Sequence, residues 1–170
     1  IVKAFFENYL DFFITFCAAI VVGSQYYLEN IAGLEPCNLC ILQKYSAQAV
    51  FFIFLFKMMV PRFKFLFDVL AVFTLAFGVS ASGRQIYLQN VPKDELAAGY
   101  CDTPFYLLFD MYPFFDAMAK VFQGSSKCAE EDWSLLGLNI AEWSMVFFAS
   151  MISLMLIRYL LIILKGHRYN

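Results

Sequence analysis

The sequence predicts an all-α membrane protein: a bundle of four transmembrane helices, with a short membrane-parallel helix in the second outer loop. Of its 170 residues, 62% are hydrophobic and 15% are charged, whereas a soluble domain has about 45–50% apolar and about 25% charged residues. The apolar residues gather in four long runs, and the loop charges differ in sign between the two ends of those runs. A soluble core does not bury that much apolar surface, so a lipid-embedded bundle is predicted.

Each of the four apolar runs is close to the roughly 20 residues that cross about 30 Å of hydrocarbon. They predict spans at about 11–28, 40–57, 68–87 and 143–164. Two outer loops follow from these spans, at about 29–39 and 88–142, and a short basic segment joins the second span to the third. Because the length favours one domain, residues 1–170 are predicted to form a single membrane domain.

Basic residues set the predicted orientation, because short loops rich in lysine and arginine stay in the cytoplasm. Six of them fall on one side of the four-helix weave: Lys3, Lys57, Arg62, Lys64, Lys165 and Arg168. The other side is acidic, from Glu29 and Glu35 in the first outer loop to Glu142 at the end of the second. Both termini are therefore predicted to be cytoplasmic. The lack of a large basic patch argues against nucleic acid as a partner.

The stretch from Phe105 to Phe122 predicts the membrane-parallel helix. Its charged residues, Asp110, Asp116 and Lys120, fall within about a third of the helical circumference, which leaves a broad apolar face. Such a helix lies along a membrane surface rather than crossing it. Pro113 is expected to divide the stretch into two short helices, or into a helix and a turn.

Four of the five cysteines fall on the predicted outer face, where disulfides persist. They are Cys37, Cys40, Cys101 and Cys128, and they allow three connectivities. Adjacency in the C-x-x-C run favours a pair between Cys37 and Cys40, which leaves Cys101 with Cys128. The fifth, Cys17, lies inside the first span and is expected to be a small apolar packing residue.

The C-x-x-C run lies at the predicted start of the second helix, since Pro36 suits a first helical turn. Unpaired backbone N–H groups there favour a thiolate, which lowers the pKa of a cysteine and makes a pair redox-active. Lys44 adds a cation one turn after Cys40, and Arg84 is a second charge near an outer helix end. Charged residues in spans are functional candidates, so both are predicted to bind a cofactor, with snorkelling to the head groups as the alternative. Arg158 is instead predicted to be a snorkelling anchor.

Two plainer interpretations of the cysteines compete with redox chemistry. One is a pair of structural disulfides, for which Cys101 and Cys128 alone would be good candidates. The other is zinc, but one pair lies at the membrane boundary and His167, the only histidine, lies on the opposite side. No metal is therefore predicted, and two cysteine pairs on one face suggest electron transfer.

Thiol-disulfide exchange connects these features chemically. An incoming thiolate reduces one disulfide through a mixed disulfide, and a further exchange passes the electrons to the second pair. Cys40 lies at the membrane boundary, so a lipid-soluble two-electron acceptor such as a quinone is the expected electron sink. Lys44 is positioned to stabilise negative charge on the thiolate or on the reduced quinone.

Three features together resemble the disulfide bond formation protein B (DsbB) family of bacterial inner membranes. They are PCNLCILQK at 36–44, Cys101 itself, and KCAEEDWSLLGLNIAEW at 127–143. The resemblance extends over essentially the whole chain. It implies a quinone-dependent protein-disulfide oxidoreductase in the inner membrane, with periplasmic redox loops, a four-helix bundle and a membrane-parallel helix in the second periplasmic loop.

The resemblance also implies a partner and an order of events. A DsbA-like periplasmic thioredoxin-fold oxidase attacks at Cys101 and releases Cys128, and the electrons then reach Cys37 and Cys40. The Cys40 thiolate engages ubiquinone or menaquinone. The family commonly has arginine where this chain has Lys44, which keeps the charge but loses a planar fork of donors. The quinone species, and the choice between a general DsbB and a specialised paralogue, therefore stay open.

Two alternative functions fit the same features. One is a membrane reductase that turns over a quinone-like substrate for its own sake, as vitamin K epoxide reductases do. The other is a non-enzymatic scaffold whose outer loop is stapled by inert disulfides, which predicts neither partner exchange nor a bound quinone.

Overall fold

The computed structural model describes residues 2–91, 103–124, 126–129 and 133–167, so Cys101 lies outside the described residues. Within them the helices are α1 (Val2–Asn30), α2 (Asn38–Met59), α3 (Lys64–Asn90), α4 (Phe105–Met111), α5 (Phe114–Gln123) and α6 (Ile140–His167). Two 3₁₀ turns, at Pro61–Phe63 and Ser126–Ala129, and a hairpin of β1 (Ser134–Leu135) and β2 (Leu138–Asn139) complete the described elements.

Four helices are long and apolar enough to cross a membrane, which confirms the predicted all-α four-helix class. The candidate spans are Tyr9–Asn30, Asn38–Met59, Pro61–Asn90 and Ile140–Leu164. The helices extend past the predicted apolar runs because a helix needs hydrocarbon-compatible side chains over only about 30 Å, and its polar ends continue beyond that layer. Helix α2 packs against α1 and α3, and α3 packs against α6.

The apolar core lies between these four helices. It includes Ala71 and Leu75 of α3 and Phe148 and Met155 of α6. Small residues let the helices approach closely, as is usual in membrane bundles. At Gly78 an added Cβ would lie 2.6 Å from the ring of Phe148, so glycine sets the closeness of α3 to α6.

Helices α4 and α5 cover one end of the bundle, which we call the cysteine end because Cys37, Cys40 and Cys128 lie there. The break predicted at Pro113 is confirmed, since α4 ends at Met111 and α5 begins at Phe114. Helix α5 buries Ala117 and Val121 against the bundle, while Phe115 is 83% exposed on its outer side. An apolar outer face of this kind suits a helix that rests on a membrane surface.

The hairpin leads directly into α6. Leu136 and Gly137 form its turn with positive φ angles of 54° and 83°, a conformation that two-residue hairpins favour. Asn139 and Glu142 form a reciprocal capping box, each side chain accepting from the other's backbone N–H at 2.9 Å. The Asn139 side chain also donates to Gln89 Oε1 at 3.1 Å, which joins the start of α6 to α3.

A buried ion cluster occupies the opposite end of the bundle and takes one residue from each long helix. Its members are Asp11 of α1, Lys57 of α2, Asp68 of α3 and Arg158 of α6. Lys57 Nζ donates to Asp11 Oδ1 at 2.8 Å and also to Asp68 Oδ1. Arg158 Nη1 donates to the same Asp11 oxygen at 2.8 Å. All four residues are buried.

This cluster corrects two expectations from the sequence. Arg158 does not snorkel, because its side chain is 6% exposed and paired with Asp11. Lys57, which the predicted orientation counts among the basic residues on the cytoplasmic side, lies within α2 and is fully buried. Both differences have one cause: opposite charges on neighbouring helices make it possible for a cation to remain inside the bundle.

Candidate functional site: the sulfur cluster at the cysteine end

The C-x-x-C motif forms the beginning of α2. Cys37 is the N-cap residue, with extended backbone angles, and its Sγ accepts from the backbone N–H of Cys40 at 3.3 Å. The sulfur therefore takes the capping position that serine or aspartate oxygen usually fills. Cys40 follows in the first helical turn. Both are free thiols, and their sulfurs lie 3.0 Å apart.

Cys128 joins this pair from the second loop. It lies on the 3₁₀ turn Ser126–Ala129, is fully buried and shares an apolar cluster with Cys37. Hydrogen bonding to Cys128 and to Cys40, together with burial, raises the pKa of the Cys37 thiol. The sequence predicts a lowered pKa at a helix start, but at Cys37 the neighbouring sulfurs and burial outweigh the backbone N–H groups. The predicted pairing of Cys128 with Cys101 lies outside the described residues and stays a prediction.

Gln85 of α3 is a site residue that the sequence analysis missed. Its Nε2 lies 3.2 Å from Cys40 Sγ and 3.7 Å from Cys37 Sγ, and its Oε1 accepts from Gln43 Nε2 at 2.7 Å. Gln85 is 4% exposed, so its N–H is committed to the sulfurs rather than to solvent. The sequence signal that could have identified Gln85 is a polar amide next to Arg84 in an otherwise apolar run.

Arg84 contacts the C-terminal end of α5. Its Nε donates to the carbonyl oxygen of Phe122 at 3.0 Å and its Nη2 to that of Gln123 at 3.2 Å. A cation at a helix C-terminus satisfies the last carbonyl groups and complements the helix dipole. Arg84 is not one of the described residues that line the cavity described below. The geometry thus gives Arg84 a positioning role toward the segment that carries Cys128.

Gly124 turns the chain from α5 toward Cys128. Its φ is +79°, and an added Cβ would lie 2.2 Å from Leu88 Cδ1. Both the positive φ and the contact require glycine. Beyond it, Lys127 Nζ pairs with Glu35 Oε2 at 2.5 Å. The hydrogen bond from Lys127 lowers the pKa of Glu35.

A cavity beside the sulfurs opens between α1, α2, α3 and α6. It holds about 780 Å³ of space outside the protein atoms, counting its open mouth. Cys37, Cys40, Gln85 and Lys44 are among the residues that line it. Lys44 forms an ion pair with Glu29 of α1. The structure therefore brings Lys44 and the C-x-x-C sulfurs to one cavity, as the helical spacing predicts.

Buried polar atoms in the cavity wall lack hydrogen-bond partners. Gln25 Oε1 and Gln43 Oε1 have none among the described residues, and both residues line the cavity. Unsatisfied buried acceptors are uncommon because each costs free energy when it is left unpaired. Two such acceptors near the Lys44 ammonium form a site suited to a molecule that carries both hydroxyl or carbonyl oxygens and apolar surface.

Four membrane-spanning helices with clustered thiols at one end define a membrane protein of thiol-disulfide chemistry. Comparison with known families agrees: the family model "Disulfide bond formation protein DsbB" matches residues 8–158. The chain therefore belongs to the DsbB family, as the sequence resemblance predicts.

Curated relatives bear the same family name. The Acinetobacter baumannii "Disulfide bond formation protein B" is 33% identical over 136 residues, which cover 76% of this chain and 78% of that protein. The "Disulfide bond formation protein B 1" of Pseudomonas aeruginosa is 32% identical over 159 residues, covering 88% and 93%. The "Disulfide bond formation protein B" of Paracidovorax citrulli is 37% identical over 146 residues, which cover 85% of this chain and 81% of that protein.

Proposed function

We propose that this protein reoxidises a periplasmic, DsbA-like thioredoxin-fold oxidase and passes the electrons to membrane quinone. The observation that carries the proposal is the contact of Cys37 with both Cys40 and Cys128, at the wall of a cavity that Lys44 also lines. One sulfur of the second loop thus meets the C-x-x-C pair directly. This is the arrangement that an exchange relay requires.

The proposed exchange begins at Cys101. A partner thiolate attacks a Cys101–Cys128 disulfide, and the partner's second thiol then resolves the mixed disulfide, so that the partner leaves oxidised while Cys101 and Cys128 become thiols. The Cys128 thiolate next attacks Cys37 Sγ of an oxidised C-x-x-C pair, and Cys40 leaves as a thiolate. Attack of Cys101 on Cys128 restores their disulfide and leaves Cys37 as a thiol. The partner supplies two electrons in the first step, and the two internal exchanges pass both of them to Cys37 and Cys40.

The direction of this exchange follows from the surroundings of the two C-x-x-C sulfurs. Hydrogen bonding and burial raise the pKa of Cys37, which makes its sulfur a poorer leaving group than the sulfur of Cys40. Cys40 Sγ instead accepts from Gln85 Nε2 at 3.2 Å and from the Cys37 thiol at 3.0 Å. Hydrogen bonds to an ionised group are stronger than neutral ones, so they favour Cys40 as the departing thiolate.

The cavity suits a quinone by the chemistry of its wall. Lys44 is a donor to a carbonyl oxygen, and the unpartnered Gln25 and Gln43 oxygens are acceptors for a hydroxyl. Leu28 and Ile140 add apolar surface. Gln25, Gln43 and Lys44 would hold ubiquinone or menaquinone there, and the quinone would supply a two-electron, two-proton acceptor for Cys37 and Cys40. Lys44 is held by Glu29, which fixes where its ammonium group points.

We assign the cysteine end to the periplasmic face of a bacterial inner membrane, with the whole chain forming one membrane domain. Support comes from charge: Arg62 and Lys64 follow α2 at the opposite end, whereas Glu29 and Glu35 lie at the cysteine end. Lysine and arginine are retained in the cytoplasm. Both termini are then cytoplasmic.

The test is quinone-dependent oxidation of a reduced thioredoxin-fold partner by the purified protein in detergent. Cys40→Ser and Cys101→Ser are expected to abolish turnover. Cys17→Ser is the matched control, because Cys17 packs against the apolar core of the bundle and should keep it. Absence of turnover in the parent protein with both ubiquinone and menaquinone would contradict the proposal and favour a stapled scaffold.

A further inference from the structure

The chain segment from α5 to Cys128 is tied to the bundle on both sides of Gly124. Arg84 holds the last carbonyl groups of α5, and Lys127 holds Glu35 in the loop before α2. Cys128 itself is buried among apolar side chains, which do not by themselves select one arrangement of two sulfurs. Cys128 also hydrogen-bonds with Cys37, and the polar contacts of its neighbours add to the contacts that orient it.

We propose that the Glu35–Lys127 ion pair is an electrostatic latch that holds Cys128 on Cys37 and so sets the rate of exchange between the two cysteine loops. This inference rests on the proposed function, because it assigns positioning residues for the internal exchange step. Glu35 and Lys127 contact each other through their side chains. They act through the backbone of the cysteines that they flank.

The latch acts close to both sulfurs. Lys127 directly precedes Cys128, and Glu35 is separated from Cys37 only by Pro36, whose ring fixes one backbone torsion. A displacement of Lys127 relative to Glu35 therefore moves the backbone of Cys128 relative to that of Cys37, and the two sulfur atoms move with it. Two other charged groups nearby have partners of their own, since Lys44 pairs with Glu29 and Arg84 with α5.

The expected size of the effect follows from exposure. The Glu35 side chain is 82% exposed and that of Lys127 is 32% exposed, so the pair is a surface ion pair of modest strength. For such a pair, loss of one charge should reduce the local concentration of Cys128 at Cys37 by about two- to fivefold. Charge reversal at Glu35 should reduce it further, because it sets two lysines against each other.

The experiment measures that local concentration directly. In the full chain carrying Cys17→Ser, Cys40→Ser and Cys101→Ser, only Cys37 and Cys128 remain to form a disulfide. Equilibration with reduced and oxidised glutathione, followed by maleimide gel shift, gives the effective concentration of one thiol at the other. Neither a partner nor a quinone takes part, so the result is independent of turnover.

Three variants decide the outcome. Glu35→Gln should lower the effective concentration by about two- to fivefold, and Glu35→Lys by more. The double variant Glu35→Lys with Lys127→Glu should restore it to within about twofold. High salt should lower the parent value toward that of Glu35→Gln and leave Glu35→Gln unchanged, because exposed charges are screened. If the single variants acted through a general loss of structure, exchanging the two charges would not restore the effective concentration.

Equal values in the parent and in Glu35→Lys would overturn the latch, as would failure of the reversed pair to restore exchange. A protein that shows the latch but does not oxidise a partner would instead overturn the proposed function alone.

Discussion

The buried ion cluster makes a quantitative prediction about Lys57. Its ammonium group contacts both carboxylates of the cluster, and the Lys57 side chain is fully buried. Lys57→Met fills a similar volume but leaves Asp11 and Asp68 with Arg158 as their only cation in the described cluster. One buried negative charge is then uncompensated.

The cost follows from the burial of the remaining carboxylates. Removing one partner of a buried pair costs about 3–5 kcal/mol, because the other charge stays desolvated. For a chain of this size, about 2–4 °C of Tm corresponds to each kcal/mol, so Lys57→Met should lower the Tm by roughly 6–20 °C. Adding Asp68→Asn restores neutrality and should recover a large part of that loss.

Thermal unfolding in one detergent, followed by circular dichroism, measures these shifts. Arg62→Met is the matched control, since it removes an exposed cation from the connection just after α2 and should change the Tm by less than about 2 °C. If Lys57→Met also unfolds within about 2 °C of the parent, the cluster is not charge-balanced as described. Failure of Asp68→Asn to recover stability would contradict the same reasoning.

Three further predictions concern the cysteine end. Arg84→Met should slow formation of the Cys37–Cys128 disulfide but leave quinone affinity, measured by quinone-dependent thermal stabilisation, unchanged; a selective loss of quinone affinity would support the original cofactor-binding prediction instead. Gln85→Leu should slow alkylation of Cys40 by iodoacetamide about tenfold, through loss of a hydrogen bond to an ionised sulfur worth about 1.5–3 kcal/mol; an unchanged rate would remove Gln85 from the site. Lys127 lowers the pKa of Glu35 from 4.5. The ion pair should therefore be fully formed above about pH 5 and lost as the pH falls through the lowered value. If the effective concentration fell instead when the pH was raised from 5 to 7, a group other than Glu35 would be responsible.

The parts of the fold that depend on local sequence were predictable. Length and hydropathy locate the four spans, because the bilayer imposes one thickness on every crossing. Pro113 divides the second loop because its ring clashes with a continuing helix. Cys37 starts α2 as its N-cap through a contact made within one helical turn, whereas Pro36 lies just before the cap and not in the first turn as predicted. Each of these predictions depends only on residues that are close together in the sequence.

The missed features depend on contacts between distant segments. Nothing in the spacing of Cys128 shows that it meets Cys37, because the two residues are 91 positions apart in the sequence and belong to different loops. Hydropathy treats Lys57 and Arg158 as charges that seek water, whereas Asp11 on another helix makes it possible for both to stay buried. The sequence likewise does not show that Arg84 contacts backbone carbonyl groups at the end of α5, and its role toward a cofactor stays a prediction.

The ion cluster has a consequence for the order in which the chain is assembled. During synthesis α1 reaches the membrane first and carries Asp11 with no cation to oppose it. Lys57 arrives with α2 and neutralises Asp11, but α3 then brings Asp68 and restores a surplus negative charge. Within the described cluster, Arg158, near the end of the chain, is the cation that balances the set. The last helix therefore completes the electrostatics of the other three, and a nascent protein that lacks it retains a buried charge that favours disassembly.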